Sequence, residues 1–140
     1  MRDLHNSIEV LVALNQTIIN VTGTTNGNVI DRYTEDGYES LEFLIHVGAN
    51  TAGSYTVNVQ DGAASDLSDA ADVAAAGLLG AEPTFDSADD NVVKKVGYIG
   101  EQRYVRIQIV ATVAATGADS ISALAVLGHP RHGPEGAVQV

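Results

Sequence analysis

The chain carries no cysteine and no tryptophan, and only seven of its residues are basic. Each scarcity removes a class of protein. Without cysteine there is no disulfide framework, no thiolate nucleophile and no soft-metal site. Without tryptophan, and with five tyrosines, a platform for stacking against sugar rings has little to be built from. Seven bases against 18 acids leave a formal charge of −11, which repels a phosphate backbone and argues against nucleic acid as a partner. No apolar run approaches the roughly 18 residues of a membrane-spanning helix, so no membrane partner is expected. The opening residues Met1 to Asn6 lack the basic-then-apolar order of a secretory leader, which points to synthesis in the cytoplasm.

What remains is a chain of 140 residues, 45% of them apolar, enough to fill one core. We expect a single domain over residues 1–140, with a polar arm at 1–6 and an extended tail at 128–140 that is rich in glycine and proline. The organising stretch is Val96 to Val113. From Tyr104 onward it alternates: Val105, Ile107, Ile109, Ala111 and Val113 point one way, and Tyr104, Arg106, Gln108 and Thr112 the other, with Val110 the apolar exception. A period of two is that of a half-buried strand. Gly97 and Gly100 flank Tyr98-Ile99 and favour a sharp reversal before it.

The same period marks Ser7 to Leu14, Ser40 to Val47, Tyr55 to Gln60, Val92 to Tyr98 and Ser120 to Leu127. Thr17 to Thr22 and Val29 to Arg32 flank an Asn26-Gly27 pair, a signal for a hairpin turn. Ser40–Val47 and Tyr55–Gln60 read as a second antiparallel hairpin. Asp69 to Leu79 is alanine-rich and reads as one short helical element within Ala74–Leu79, with a short strand around Ala71–Val73 as the alternative. The expected fold is all-β: an antiparallel β-sandwich of jelly-roll type with about eight strands and at most one short helix.

Chemistry is sparse. His129 and His132 are three apart, but Pro130 and Gly133 deny them a helix on which that spacing would hold a metal. Asp86, Asp89, Asp90 and Asn91 offer hard oxygen ligands without the spacing of a calcium-binding EF-hand loop, and read as a solvated acidic loop. No serine sits in a nucleophile-elbow context and no glycine-rich phosphate loop is present. We therefore expect neither an enzyme nor a cofactor. Lys94, Lys95, Arg103 and Arg106 are four of the seven bases and fall within thirteen residues. With Tyr104, and with His129, Pro130, Arg131 and His132 from the closing stretch, they form the candidate protein–protein interface. The alternative is cross-strand pairing with the chain's own acids.

Several segments carry a resemblance. They are Tyr38-Glu39-Ser40-Leu41-Glu42-Phe43, Asp72-Val73-Ala74-Ala75-Ala76, Asp90-Asn91 through Val96-Gly97-Tyr98-Ile99-Gly100, Arg103-Tyr104-Val105-Arg106, and Leu127-Gly128-His129-Pro130-Arg131. In pattern and order the chain resembles small structural proteins of tailed bacteriophages, often encoded among the head genes. That resemblance implies a non-enzymatic virion component. Within the class it implies a capsid decoration (cement) protein on the head exterior, with the major capsid protein or further copies of itself as partners, and a homo-oligomer. A tail-tube or head–tail connector protein is the alternative, and a sugar- or receptor-binding module the third.

Overall fold

A computed structural model of the chain describes residues 3–34, 37–114 and 120–131. Eleven strands form two antiparallel sheets: β1 (Ile8–Ile18), β2 (Gly23–Asn26), β3 (Ile30–Asp31), β4 (Tyr38–Val47), β5 (Ser54–Gly62), β6 (Ala71–Asp72), β7 (Leu78–Leu79), β8 (Thr84–Phe85), β9 (Val92–Tyr98), β10 (Tyr104–Val113) and β11 (Ser120–Pro130). The first sheet has the order β1-β11-β4-β9-β7, and the second β2-β10-β5-β6, with β3 beside β10 and β8 beside β5. The all-β sandwich expected from the alternation is the fold observed. Of the strands not expected, β6, β7 and β8 are pairs of residues too short to show a period, while β2 takes four residues read as the turn. Of the strand expected over Thr17–Thr22, only Thr17 and Ile18 are in a strand, as the end of β1. Ala75–Gly77 forms one 3-10 turn between β6 and β7, and a second spans His5–Ser7.

The inward phases are those of the sequence. Leu41, Phe43, Ile45 and Val47 of β4, Val57 and Val59 of β5, Val105, Ile107 and Ile109 of β10, and Ile121, Ala125 and Leu127 of β11 are buried between the sheets. Burying each large apolar side chain contributes about 1.5–3 kcal/mol, which makes this layer the main source of stability. In β1 the alternation over Ser7–Leu14 does not hold a single phase. Val10 and Val12 face out, while Leu11 and Ala13 pack inward, and register shifts after Val12 bring Leu14 into the core as well.

Neither expected hairpin forms. Among the described residues, only β5 with β6 joins strands consecutive in the chain; β4 pairs with β9 and β11, and β5 with β6, β8 and β10. The corner between β4 and β5 is built on Asn50. Its Nδ2 donates to the carbonyls of Gly53 (3.2 Å) and Asp86 (2.6 Å), its Oδ1 accepts from the Gly53 amide, and its own amide donates to Asp90. With all its polar groups used, this buried side chain carries the backbone from one sheet to the other instead of back along the same sheet.

The Asn26-Gly27 pair is also no hairpin. β2 and β3 lie end to end along the same edge of β10. Between them Gly27 N donates to Ile107 O (2.8 Å), Asn28 N donates to Ala13 O (2.7 Å), and Asn28 Nδ2 donates to Val12 O (2.9 Å). This segment straps β1 of one sheet to β10 of the other.

The reversal at Tyr98-Ile99 is real, but it too crosses between sheets. Arg32, almost fully buried, donates from Nη1 to the carbonyls of Gly100 (3.1 Å) and Gln102 (2.8 Å) and from Nη2 to that of Glu39 (3.2 Å). Its guanidinium lies 5.1 Å from the centre of the Tyr98 ring. The Tyr98 hydroxyl donates to Asp61 Oδ2 (2.6 Å) and accepts from Gln102 N (3.0 Å). Burial, reinforced by the bond to Asp61, pushes the phenol well above its ordinary pKa, so it stays protonated and remains a donor.

Residues 128–131 of the expected tail are held in the fold, and the rest of it lies outside the described residues. Gly128 pairs with Ile8 and Ser40, Pro130 pairs with Tyr38, and Arg131 N donates to Gly37 O. Within the expected arm, the Asp3 carboxylate accepts from His5 N and from Asn6 Nδ2, and its carbonyl accepts from Ser7 Oγ.

Candidate interaction surfaces

The basic residues that adjoin in sequence part in space. Lys94 and Lys95 lie on β9 in the first sheet, while Arg103 precedes β10 and Tyr104 and Arg106 lie on it, in the second. Most are engaged within the chain. Lys94 Nζ donates to Asp89 (2.9 Å) and to Thr84 O (2.6 Å) above the Phe85 ring. Arg106 donates twice to Gln60 Oε1 across the β10–β5 pair. Arg103 binds both carboxylate oxygens of Asp31 at 2.8 Å. His129, at positive φ, shares a hydrogen bond of 2.8 Å with Ser40 Oγ. Arg103, Tyr104 and Arg131 do come together: both guanidinium groups stack on Tyr33, at 5.3 and 4.6 Å, and Arg103 also stacks on Tyr104 at 5.0 Å. His132 lies outside the described residues. Lys95 differs from the rest: it is exposed, and no side-chain hydrogen bond, ion pair or ring contact engages it among the described residues.

The acidic loops spend their carboxylates on their own backbone. Asp86 accepts from Ala88 N, Asp89 from Asp86 N and Lys94, Asp90 from Asn50 N, and Asp69 from the amides of Ala63 and Ala64. Among the described residues, no group of three or more His, Cys, Asp or Glu side chains is placed to hold a metal ion.

These bonds set a pH dependence. The hydrogen bond from Arg103 holds the Asp31 carboxyl below the usual carboxylate range. Lys94 does the same for Asp89, the Ser68 amide for Asp66, and the Ala63 and Ala64 amides for Asp69. A depressed native value means that the unfolded chain binds more protons in acid. The stabilisation is therefore complete above the ordinary carboxylate range and is lost as the pH falls below about 4. The Asp31–Arg103 pair is exposed, so solvent screens it and its own share of this stabilisation is small. Urea midpoints taken from about pH 7 to about pH 3 should stay level and then drop below about pH 4, with a shallower drop in Asp31→Asn. A midpoint that rises towards acid, as relief of the negative charge alone would give, is the contrary result.

The two outward faces of the sandwich are unlike. Across the second sheet the outward row runs Asn26, Gln108, Asn58, with Thr24, Val110 and Thr56 beside it and Arg106, Gln60 and Asp72 beyond. It is a polar, hydrogen-bonded face of the kind that meets water. Across the first sheet one row runs Val12, Leu124, Leu44, Lys95, and the next Val10, Val126, Glu42, Gly97, Leu79. Val10, Val12, Leu79, Val93 and Leu124 stand between 43% and 59% exposed on it, and with the half-buried Leu44 of β4 they make an apolar surface spread over five strands. At one end a shallow groove of about 290 Å³ opens among Ile8, Leu79, Ile99, Val126, Glu42 and His129. Sequence reasoning places the interface on the bases and passes over this face. Its signal is present: β1 and β11 carry apolar residues in both phases, the composition of strands covered on both sides.

The architecture is thus a two-sheet antiparallel sandwich with one polar and one apolar outer face. No protein-family model and no curated protein sequence matches the chain. Among solved structures it is similar to the crystal structure of PBSX exported protein XepA, with a TM-score of 0.59 and 12% identity over 94% of this chain. The chain spans 39% of the length of that one. At this identity the likeness is one of fold.

Proposed function

We propose that the chain is a non-enzymatic structural protein of a tailed-bacteriophage virion, and within that class a decoration protein bound to the major capsid protein on the head exterior. The observation that carries the reading is the contrast between the outer faces: a rigid sandwich presents one polar sheet to solvent and one apolar sheet to a partner. The fold likeness to a phage PBSX protein supports the phage setting, as do the segments that resemble head-gene products. The acidic surface suits display in many copies, because like charge keeps neighbouring copies soluble. Repeated weak contacts along a lattice would then add up to firm attachment. The sugar-binding reading is disfavoured, since Tyr38, Tyr55 and Tyr98 are buried and Arg103 stacks on Tyr33 and Tyr104.

The test is co-sedimentation of the purified protein with heads that lack it, with assembled tails as a parallel target. The expected result is saturable binding to heads at a stoichiometry near that of the major capsid protein. Absence of head binding, with rings or tubes formed in solution, would replace this reading with the tail-tube one.

A further inference from the structure

We propose that the outer face of the five-stranded sheet is a self-association surface. A second copy of this chain stacks on it face to face, with Glu42 of each copy opposite Lys95 of the other. Charge selects this occupant. The chain carries −11 overall, so most of its surface repels another copy. Along the two apolar rows the only formal charges are Glu42 and Lys95, one of each sign. They lie on neighbouring strands in diagonal positions, Glu42 level with Gly97 and Lys95 level with Leu44, and neither forms an ion pair among the described residues. The Glu42 carboxylate lies over Gly97, where a side chain would meet it at 2.8 Å. Beyond the two rows, the titratable groups at this face are His46, in the adjoining row with Ser122 and Val93, and Glu39 and His129, which line the groove at its end. The two rows therefore carry no net charge, and they are where two acidic chains can approach with least repulsion.

A two-fold interface must be complementary to itself. One acid and one base on an otherwise apolar patch meet that condition: a two-fold axis between the rows brings Glu42 to Lys95 twice, around a centre formed by Val12, Leu124 and Leu44. Two sheets stacked in this way sit about 10 Å apart, the spacing of a sandwich interior. The strands lie about 4.8 Å apart, which makes the patch small beside a standard interface of about 800 Å² per partner, so association should depend on concentration. The face is the same as that of the proposed head contact, so self-association through it and docking of it on a head compete; sedimentation of the isolated chain tests the first, and co-sedimentation with heads the second.

Sedimentation equilibrium of the full chain, up to high micromolar concentration, should follow a monomer–dimer equilibrium. Leu124→Asp should leave only monomer, while its urea midpoint stays near that of the parent because the position is exposed. Glu42→Lys and Lys95→Glu should each weaken self-association about tenfold, since each places like charges opposite one another. Mixed together, the two variants should associate with parental strength, because one then presents two bases and the other two acids. That rescue excludes misfolding as the cause of the single losses. A chain that remains monomeric throughout, a dimer indifferent to Leu124→Asp, or charge variants that fail to complement each other would each overturn the proposal.

Discussion

Arg32→Ala should cost about 4 kcal/mol of folding stability, the larger of two effects expected from single substitutions at structural positions. The side chain gives three hydrogen bonds to the carbonyls of Glu39, Gly100 and Gln102 and covers one face of Tyr98. Truncation leaves those carbonyls without their donor and opens a void against a buried ring. Each lost bond from a charged donor is worth about 1.5–3 kcal/mol. The total is smaller than three such terms because the Arg32 Nε is buried with no partner among the described residues and already costs part of the gain. Two further variants divide the effect. Arg32→Met keeps most of the volume and removes every donor, so its loss reports the hydrogen bonds. Arg32→Lys keeps the charge, but a single ammonium cannot reach two carbonyls at the β9–β10 corner and a third at Glu39, so about half the loss should remain. Urea unfolding with the slope held constant is the measurement. A loss below about 1 kcal/mol for Arg32→Ala would mean that the corner holds without its guanidinium.

Arg32 also marks how far the sequence can be read. In sequence it is the polar end of a short strand, and nothing local indicates that it is buried. Its partners lie up to 70 residues away. Alternation, by contrast, is local: it reports which side of a strand meets the core. So β9 is expected at Val92–Tyr98 and is found there, and Ile121, Ala123, Ala125 and Leu127 all point inward as their spacing implies. Alternation is silent on which strand lies alongside. The β1–β11 pair joins residues more than 100 positions apart, as Thr17 with Ile121, and no turn residue encodes it. The candidate interface fails to form one patch for the same reason. Lys95 and Arg106 are near in sequence, but the crossing at Tyr98 puts them on different sheets. The apolar outer face escapes notice because its residues occupy the phase usually left to polar side chains. Taken strand by strand, Leu124 and Val126 are exceptions; only the registers of β1, β11 and β4 assemble them into rows.

Gly27→Ala should cost about 3 kcal/mol, and the size of that loss separates two explanations of the glycine. If Asn26-Gly27 formed a tight hairpin turn, glycine would serve a left-handed backbone, and alanine would cost about 1 kcal/mol. Gly27 is not among the glycines at positive φ. It is needed for closeness instead: a Cβ here would sit 2.4 Å from Ala13 O, 3.0 Å from Ile107 O and 3.1 Å from Ile107 Cγ1. Two of those atoms are backbone, on β1 of one sheet and β10 of the other, so no side-chain rotation relieves the clash. The strap must lift, loosening the bonds of Gly27 N to Ile107 O and of Asn28 N to Ala13 O that join the sheets on this side. Overpacking of this kind costs about 1–3 kcal/mol, and the weakened strap adds to it. Gly80 supplies the control: it has φ +84°, and a Cβ there would have nothing within 4 Å. Gly80→Ala therefore meets conformational strain alone and should lose about 1 kcal/mol. Urea midpoints of the two variants, measured side by side, decide the matter. Equal losses would return Gly27 to the role of a turn glycine. A Gly27→Ala loss about three times larger would identify the strap as the contact that closes one side of the sandwich, and so as a support for the β1 edge of the apolar outer face.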